Sequence, residues 1–290
     1  MRWLLFAIAA CSAPPAPSTP AVAPTKWPPV IDSHVHLTLW PVADRLAASG
    51  VLGVVDLAAP ERVLGSKSPI QIMMAGPMLT HPDGYPLDAW GADGYGVGCG
   101  DAASVRTTID RLAREGARVI KLALDDDGLD PALVPVAVEA AHAHHLKVAA
   151  HALSAASAAR AASAGVDVLA HTPAEPLPDD VIAAWKGRAV ISTLAAFGSD
   201  AAVDNLRKLR AAGATILYGT DLGNLRDAGP SADEMAKLRD AGLDDAAITA
   251  AMTTVPAAYW GFDFGGAYLE LDRDPRVDAR ALLTPRGVHR

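Results

Sequence analysis

The sequence predicts an α/β protein of the TIM-type (β/α)8 barrel class, and two observations carry that expectation. From Val30 onward, short β-branched apolar runs alternate with Ala-rich stretches of helical periodicity, and the alternation repeats about eight times. Eight such units within roughly 220 residues suit a parallel barrel better than an open doubly wound sheet, which more often has five or six strands.

The first eleven residues, "MRWLLFAIAAC", have a basic start, a short apolar stretch and small residues before Cys11. That is the layout of a cleavable export signal, and it is too short to span a bilayer. The segment "IAAC" resembles the lipobox of bacterial lipoproteins, in which the Cys becomes the lipidated first residue of the mature chain. The expectation is an exported protein of the bacterial cell envelope, periplasmic or outer-membrane, held to the membrane by a lipid anchor at Cys11. An ordinary secretory signal with an incidental Cys is the alternative. Used in this way, Cys11 leaves Cys99 unpaired, so no intrachain disulfide is expected.

Residues 12–29 carry seven prolines and read as an extended tether. The barrel is expected over 30–262. Its strand candidates are "VIDSHVHL", "VLGVVDLA", "IQIMMAGPML", "RVIKLAL", "KVAAHA", "VDVLAH", "AVISTLAAF" and "TILYGTD", with helical stretches such as 101–116 and 130–145 between them. The loop 81–100 breaks the pattern of short connections. It holds six glycines and the aromatics Tyr85, Trp90 and Tyr95. Because it follows a strand, it falls at the mouth of a barrel, where active sites lie, and reads as a possible lid.

The 290 residues are 51% hydrophobic, ample for a core and unlike a disordered chain. A formal net charge of -8, without clustered Lys and Arg, argues against a nucleic-acid partner and favours a small-molecule substrate.

Polar residues punctuate the ends of the apolar runs. In "VIDSHVHL" the two-residue period puts Asp32, His34 and His36 on one face and Ile31, Val35 and Leu37 on the other, so two imidazoles can reach one metal ion. Lys121 lies on the fourth strand, His151 on the fifth, His171 on the sixth and Asp221 on the eighth. Alternation turns Lys121 inward with Val119 and Ala123, while Ile120 and Leu122 pack against helices. A single core histidine needs no function, but six groups converging on one mouth point to a site. The "HAHH" run at 142–145 is different, because residues two apart on a helix diverge; its histidines suit the negative helix end. Lys121 would be repelled by divalent cations, and charge and burial both lower its pKa. Its neutral amine can react with carbon dioxide to give a carbamate able to bridge two ions; a plain Lys121–Asp221 ion pair is the alternative.

These residues resemble the amidohydrolase superfamily, in its binuclear branch with prolidase-like and imidazolonepropionase-related enzymes. The resemblance runs from about Val30 to Gly261 and rests on "DSHVHL", "GARVIKLAL", "VAAHALSAASAARAASAGVDVLAHT", "YGTDLGN" and "AAMTTVPAAYWG". It implies that His34 and His36 bind the more buried of two divalent metals, that His151 and His171 bind the second, and that carboxylated Lys121 bridges both. Asp221 would ligate the first metal and act as the catalytic base. Zinc is the favoured metal, with manganese, cobalt or iron as alternatives. The implied reaction is hydrolysis of a peptide-like or cyclic amide by a hydroxide held between the metals. A mononuclear deaminase or lactonase, a decarboxylase, and a lipid-anchored binding protein with a decayed site are the rivals. Family members usually carry a small β-sandwich flanking the barrel; here it is truncated or missing, and 263–290 looks like its remnant.

Overall fold

The computed structural model describes residues 24–125 and 127–290; Cys11 and most of the expected tether lie outside the described residues. In chain order the strands are β1 (Thr25–Trp27), β2 (Val30–Val35), β3 (Val51–Asp56), β4 (Gln71–Met74), β5 (Met78–Thr80), β6 (Gly96–Gly98), β7 (Val119–Ala123), β8 (Lys147–His151), β9 (Val168–Leu169), β10 (Ala189–Ile191), β11 (Thr215–Leu217), β12 (Tyr268–Leu271) and β13 (Gly287–His289). They form a seven-stranded parallel sheet, ordered β11-β10-β9-β8-β7-β5-β6, and a three-stranded parallel sheet, β2-β3-β4. A third sheet, β1-β12-β13, is antiparallel.

Backbone bonds cross both gaps between the two parallel sheets. The Ser33 N–H donates to the Tyr218 carbonyl at 2.9 Å and the Asp221 N–H to the His34 carbonyl at 2.9 Å. On the other side, the Arg118 N–H donates to the Met74 carbonyl at 2.9 Å. Alternation along each strand divides the apolar side chains into two layers. Ile31, Val55, Val119, Ala149, Ile191 and Leu217 form an inner cluster. Val54, Ile120, Val148, Leu169 and Val190 pack outward with helix residues such as Leu112, Ala161 and Leu206. Val119 inside, with Ile120 and Leu122 outside, is the pattern expected around Lys121.

The helices start and stop where local chemistry dictates. Asp101 caps Ala102–Glu115 through the Ser104 N–H, and Gly116 ends that helix at φ 100°, a conformation glycine reaches without strain. Among the described residues no helix is long and apolar enough to cross a membrane.

Five details differ from the sequence expectation. The run 189–197, read as one strand, is β10 followed by a helical turn, Leu194–Phe197. Thr25–Trp27, inside the stretch read as tether, is a strand paired with β12. The run 70–79 splits into β4 and β5, because Gly76 at φ 74° and Pro77 interrupt it. The loop 81–100 contributes a strand of its own, β6, at the sheet edge. The simple alternation in "VIDSHVHL" also fails: Ile31 faces the inner layer, and the pairing of β2 with β3 shifts register between Asp32 and Val35. Asp32 therefore leaves the histidine face.

Candidate metal centre

His34, near the end of β2, has Nδ1 2.8 Å from the Ala170 carbonyl. A carbonyl only accepts, so Nδ1 carries the proton and Nε2 keeps its lone pair. That Nε2 lies 3.3 Å from His36 Nε2, and the two nitrogens are 3.5 and 3.2 Å from Asp221 Oδ1. The three potential ligand atoms all fall within 4.8 Å of one another. Asp221 reaches this position from a backbone at φ 60°, a region costly for a residue other than glycine. Two Asn224 Nδ2 contacts, at 3.2 and 3.1 Å, hold its carboxylate. Burial alone would raise the Asp221 pKa; the hydrogen bond with His36 and the neighbouring histidines outweigh it and hold the group at about 2.

His171 follows β9 and His151 ends β8. Their rings lie 4.8 Å apart, and that of His171 is 4.4 Å from that of His34. His171 Nδ1 is 3.0 Å from the Thr193 hydroxyl. His151 Nε2 is 3.5 Å from Asp125 Oδ2. Burial keeps His34 and His171 well below the usual histidine value and brings His151 to about 4, so all three are neutral donors at pH 7.

Lys121 is fully buried on β7, and its Nζ has no hydrogen-bond partner among the described residues. Burial lowers its pKa to about 7, against an opposing pull from Asp221. Its charge also depresses His34, His151 and His171, so the amine belongs to the same cluster. An unpaired buried amine costs several kcal/mol, on the order of 1–3 or more when charged, unless something satisfies it. Neutral imidazoles, a carboxylate and a lysine able to become a carbamate make an N/O donor set suited to zinc or a similar divalent ion.

The aromatic residues of the loop 81–100 divide in placement. Tyr95 is buried with Ala58, Met78 and Ala123 and fastens the loop. Trp90 lies with its ring 5.1 Å from His36, Tyr85 with its ring 5.1 Å from His151, and the Trp90 Nε1–H donates to the Tyr85 hydroxyl at 3.1 Å. Gly84 is required here, since a Cβ would sit 1.8 Å from the Asp127 carbonyl. The helical histidines stay apart: His142 pairs with Asp167 at 2.9 Å and His144 with Asp110 at 2.7 Å.

Five supporting residues escaped the sequence reading. Asp125 accepts from the Leu153 and Ser154 N–H groups and from the Ser157 hydroxyl, the last at 2.6 Å. Thr193, at φ 41°, supports His171; Glu234 accepts from the next two N–H groups, Leu194 at 3.0 Å and Ala195 at 2.6 Å. Phe197 packs 4.4 Å from the His171 ring. Asn224 stood within the quoted "YGTDLGN", and Asp125 follows "GARVIKLAL" directly; Phe197, Thr193 and Glu234 carry no local signal.

No family model matches the chain, and no curated protein sequence does. Solved structures do. A Xaa-Pro dipeptidase with methionine in its active site superposes with a TM-score of 0.75 at 18% identity, over 91% of this chain and 85% of that one. A putative prolidase from Bifidobacterium longum gives 0.74 at 22% identity, over 91% and 79%. The ochratoxinase of A. niger gives 0.73 at 18% identity, over 91% and 80%. The chain shares the fold of these solved structures. Within that fold, the cluster described above sits at the strand ends.

Proposed function

We propose that this chain is a metal-dependent amidohydrolase that cleaves an amide bond, with its two parallel sheets forming one closed TIM-type barrel. In this reading His34, His36 and Asp221 would hold one divalent ion, His151 and His171 would hold a second, and Lys121, as a carbamate, would add an anionic ligand to the same cluster. The observation that carries it is the buried, unpartnered Lys121 amine beside neutral histidines and an ionised carboxylate. The likeness to a dipeptidase, a prolidase and an ochratoxinase agrees with it.

Two divalent cations, zinc foremost, would supply an activated water at neutral pH and polarise the substrate carbonyl. The chain's own residues do the rest. The neutral Lys121 amine attacks carbon dioxide and loses a proton, giving an anion where a bare ammonium would be repelled. Asp221, ionised at neutral pH and oriented by Asn224, takes a proton from the attacking water and delivers it to the departing nitrogen. Asp125 and Thr193 fix the His151 and His171 rings, as outer partners of metal ligands do.

Metal analysis after reconstitution with zinc and bicarbonate tests this reading. Two ions per chain, dependence on carbon dioxide and loss of hydrolysis in Lys121→Ala are expected; one ion with full activity in that variant would overturn it. The compact trio of His34, His36 and Asp221 is the observation on which a mononuclear deaminase or lactonase would rest, and the same count separates the two. We further propose that the antiparallel β1-β12-β13 sheet is the reduced sandwich module, and that lipid at Cys11 anchors the protein in the cell envelope. Mass spectrometry of membrane-extracted protein tests the anchor.

A further inference from the structure

We infer that the site takes an uncharged, ring-bearing amide of the anilide type and disfavours amides whose leaving group carries a carboxylate. This deepens the hydrolase reading and rests on it for the reaction, though not for the binding preference. The partly buried side chains packed against the histidines include three aromatic rings. Trp90 stands against His36, Tyr85 against His151, and Phe197 against both His171 and His151, at 4.4 and 6.2 Å between ring centroids. All three rings are only partly buried, whereas the histidines beneath them are nearly inaccessible. Flat apolar faces of this kind favour an aryl group through area and through edge or offset stacking.

Charge sets the second half of the preference. Asp125 lies 3.5 Å from His151, and Asp127 Oδ2 accepts the Tyr85 N–H at 3.3 Å, so two carboxylates flank the Tyr85 end of the roof. A ligand carboxylate there would meet like charge, which works as negative selection. A neutral amide meets none. Because the Tyr85 oxygen already accepts from Trp90, its own O–H is free to donate to a neutral acceptor such as an amide oxygen. In the hydrolysis, water's oxygen bonds to the acyl carbon, the C–N bond breaks, and the aniline nitrogen leaves with a proton.

Three N-acetyl compounds separate the two preferences: acetanilide, N-acetylpyrrolidine and N-acetylproline. Binding to the full chain, reconstituted with zinc and bicarbonate, is measured by titration alongside turnover. Acetanilide is expected to bind at least about tenfold more tightly than N-acetylproline, with N-acetylpyrrolidine between them. Phe197→Leu is expected to weaken acetanilide selectively, and Asp127→Asn to improve N-acetylproline selectively. Equal or tighter binding of N-acetylproline, or an equal loss for all three ligands in Phe197→Leu, overturns the inference. The expected order without any turnover upholds this ligand class and instead removes the hydrolase reading.

Discussion

Asp32 and Thr220, 188 residues apart in the chain, are bonded twice: Asp32 Oδ1 accepts the Thr220 N–H at 3.0 Å and Oδ2 accepts its hydroxyl at 2.5 Å. Asp32 also accepts the His34 N–H at 3.1 Å. One carboxylate thus ties the strand bearing two histidines to the turn that presents Asp221 in its unfavourable backbone conformation. Asp32→Ala would leave three buried donors without that acceptor, and a loss on the order of 2–4 kcal/mol is expected from such a deletion. Denaturant unfolding reads the loss, and zinc titration is expected to show weaker binding in Asp32→Ala. Thr220→Val, which keeps the N–H bond, is expected to lose less of both.

This pair also marks what the sequence could reveal. The alternation of strands and helices, the helix-facing and inward layers around Lys121, and the polar strand ends all follow from local periodicity, which is set by covalent geometry and is therefore legible. The departure of Asp32 from the histidine face depends on a register shift between two strands, a property of pairing that neither strand carries alone. The same holds for Glu234, which is 40 residues from Leu194 and meets it only through tertiary packing. The division of Tyr95 from Trp90 likewise depends on which wall each ring finds when the loop folds down, and glycine-rich composition does not encode that.

Asp125 is expected to orient His151. Three donors from the loop and helix after β8 fix its carboxylate, and a carboxylate near Nε2 favours the proton on that nitrogen and leaves Nδ1 as the lone-pair donor. Asp125→Ala is expected to weaken zinc at the second position by about 10–100-fold while leaving the first position loaded. Isothermal titration resolves the two events. Equal loss at both positions would mean that Asp125 supports the fold in general.

Lys121 gives a pH dependence whose direction is fixed by burial. Its pKa of about 7, against 10.5 ordinarily, makes the neutral amine the minor form at pH 6 and the major form at pH 8. Carbamate formation needs that neutral form. At constant dissolved carbon dioxide, metal-free protein is expected to regain zinc and activity faster as pH rises from 6 to 8, levelling off above the lysine's pKa. A rate unchanged across that range would dissociate Lys121 from the slow step.

Glu234 links the same region to stability. Burial raises its pKa to about 7 from 4.5, although hydrogen bonds from Ser192, Ala195 and Leu194 pull the other way. Below pH 4.5 the folded and unfolded chains both hold the proton; between 4.5 and 7 only the folded chain does, so stability falls as pH rises through that window. The full effect, on the order of 3 kcal/mol, is present above the folded value. Glu234→Gln removes the titration but presents an NH2 group to one of two backbone donors. That variant is therefore expected to be less stable than the parent at pH 5, with the gap narrowing toward pH 8. Denaturant midpoints of chelator-treated protein at both pH values check this. Asp32 and Asp56, raised by burial to about 7 and about 6, keep part of the slope in either protein. A slope identical in parent and variant would show that Glu234 is ionised throughout, held by the Leu194 and Ala195 N–H groups strongly enough to offset its burial.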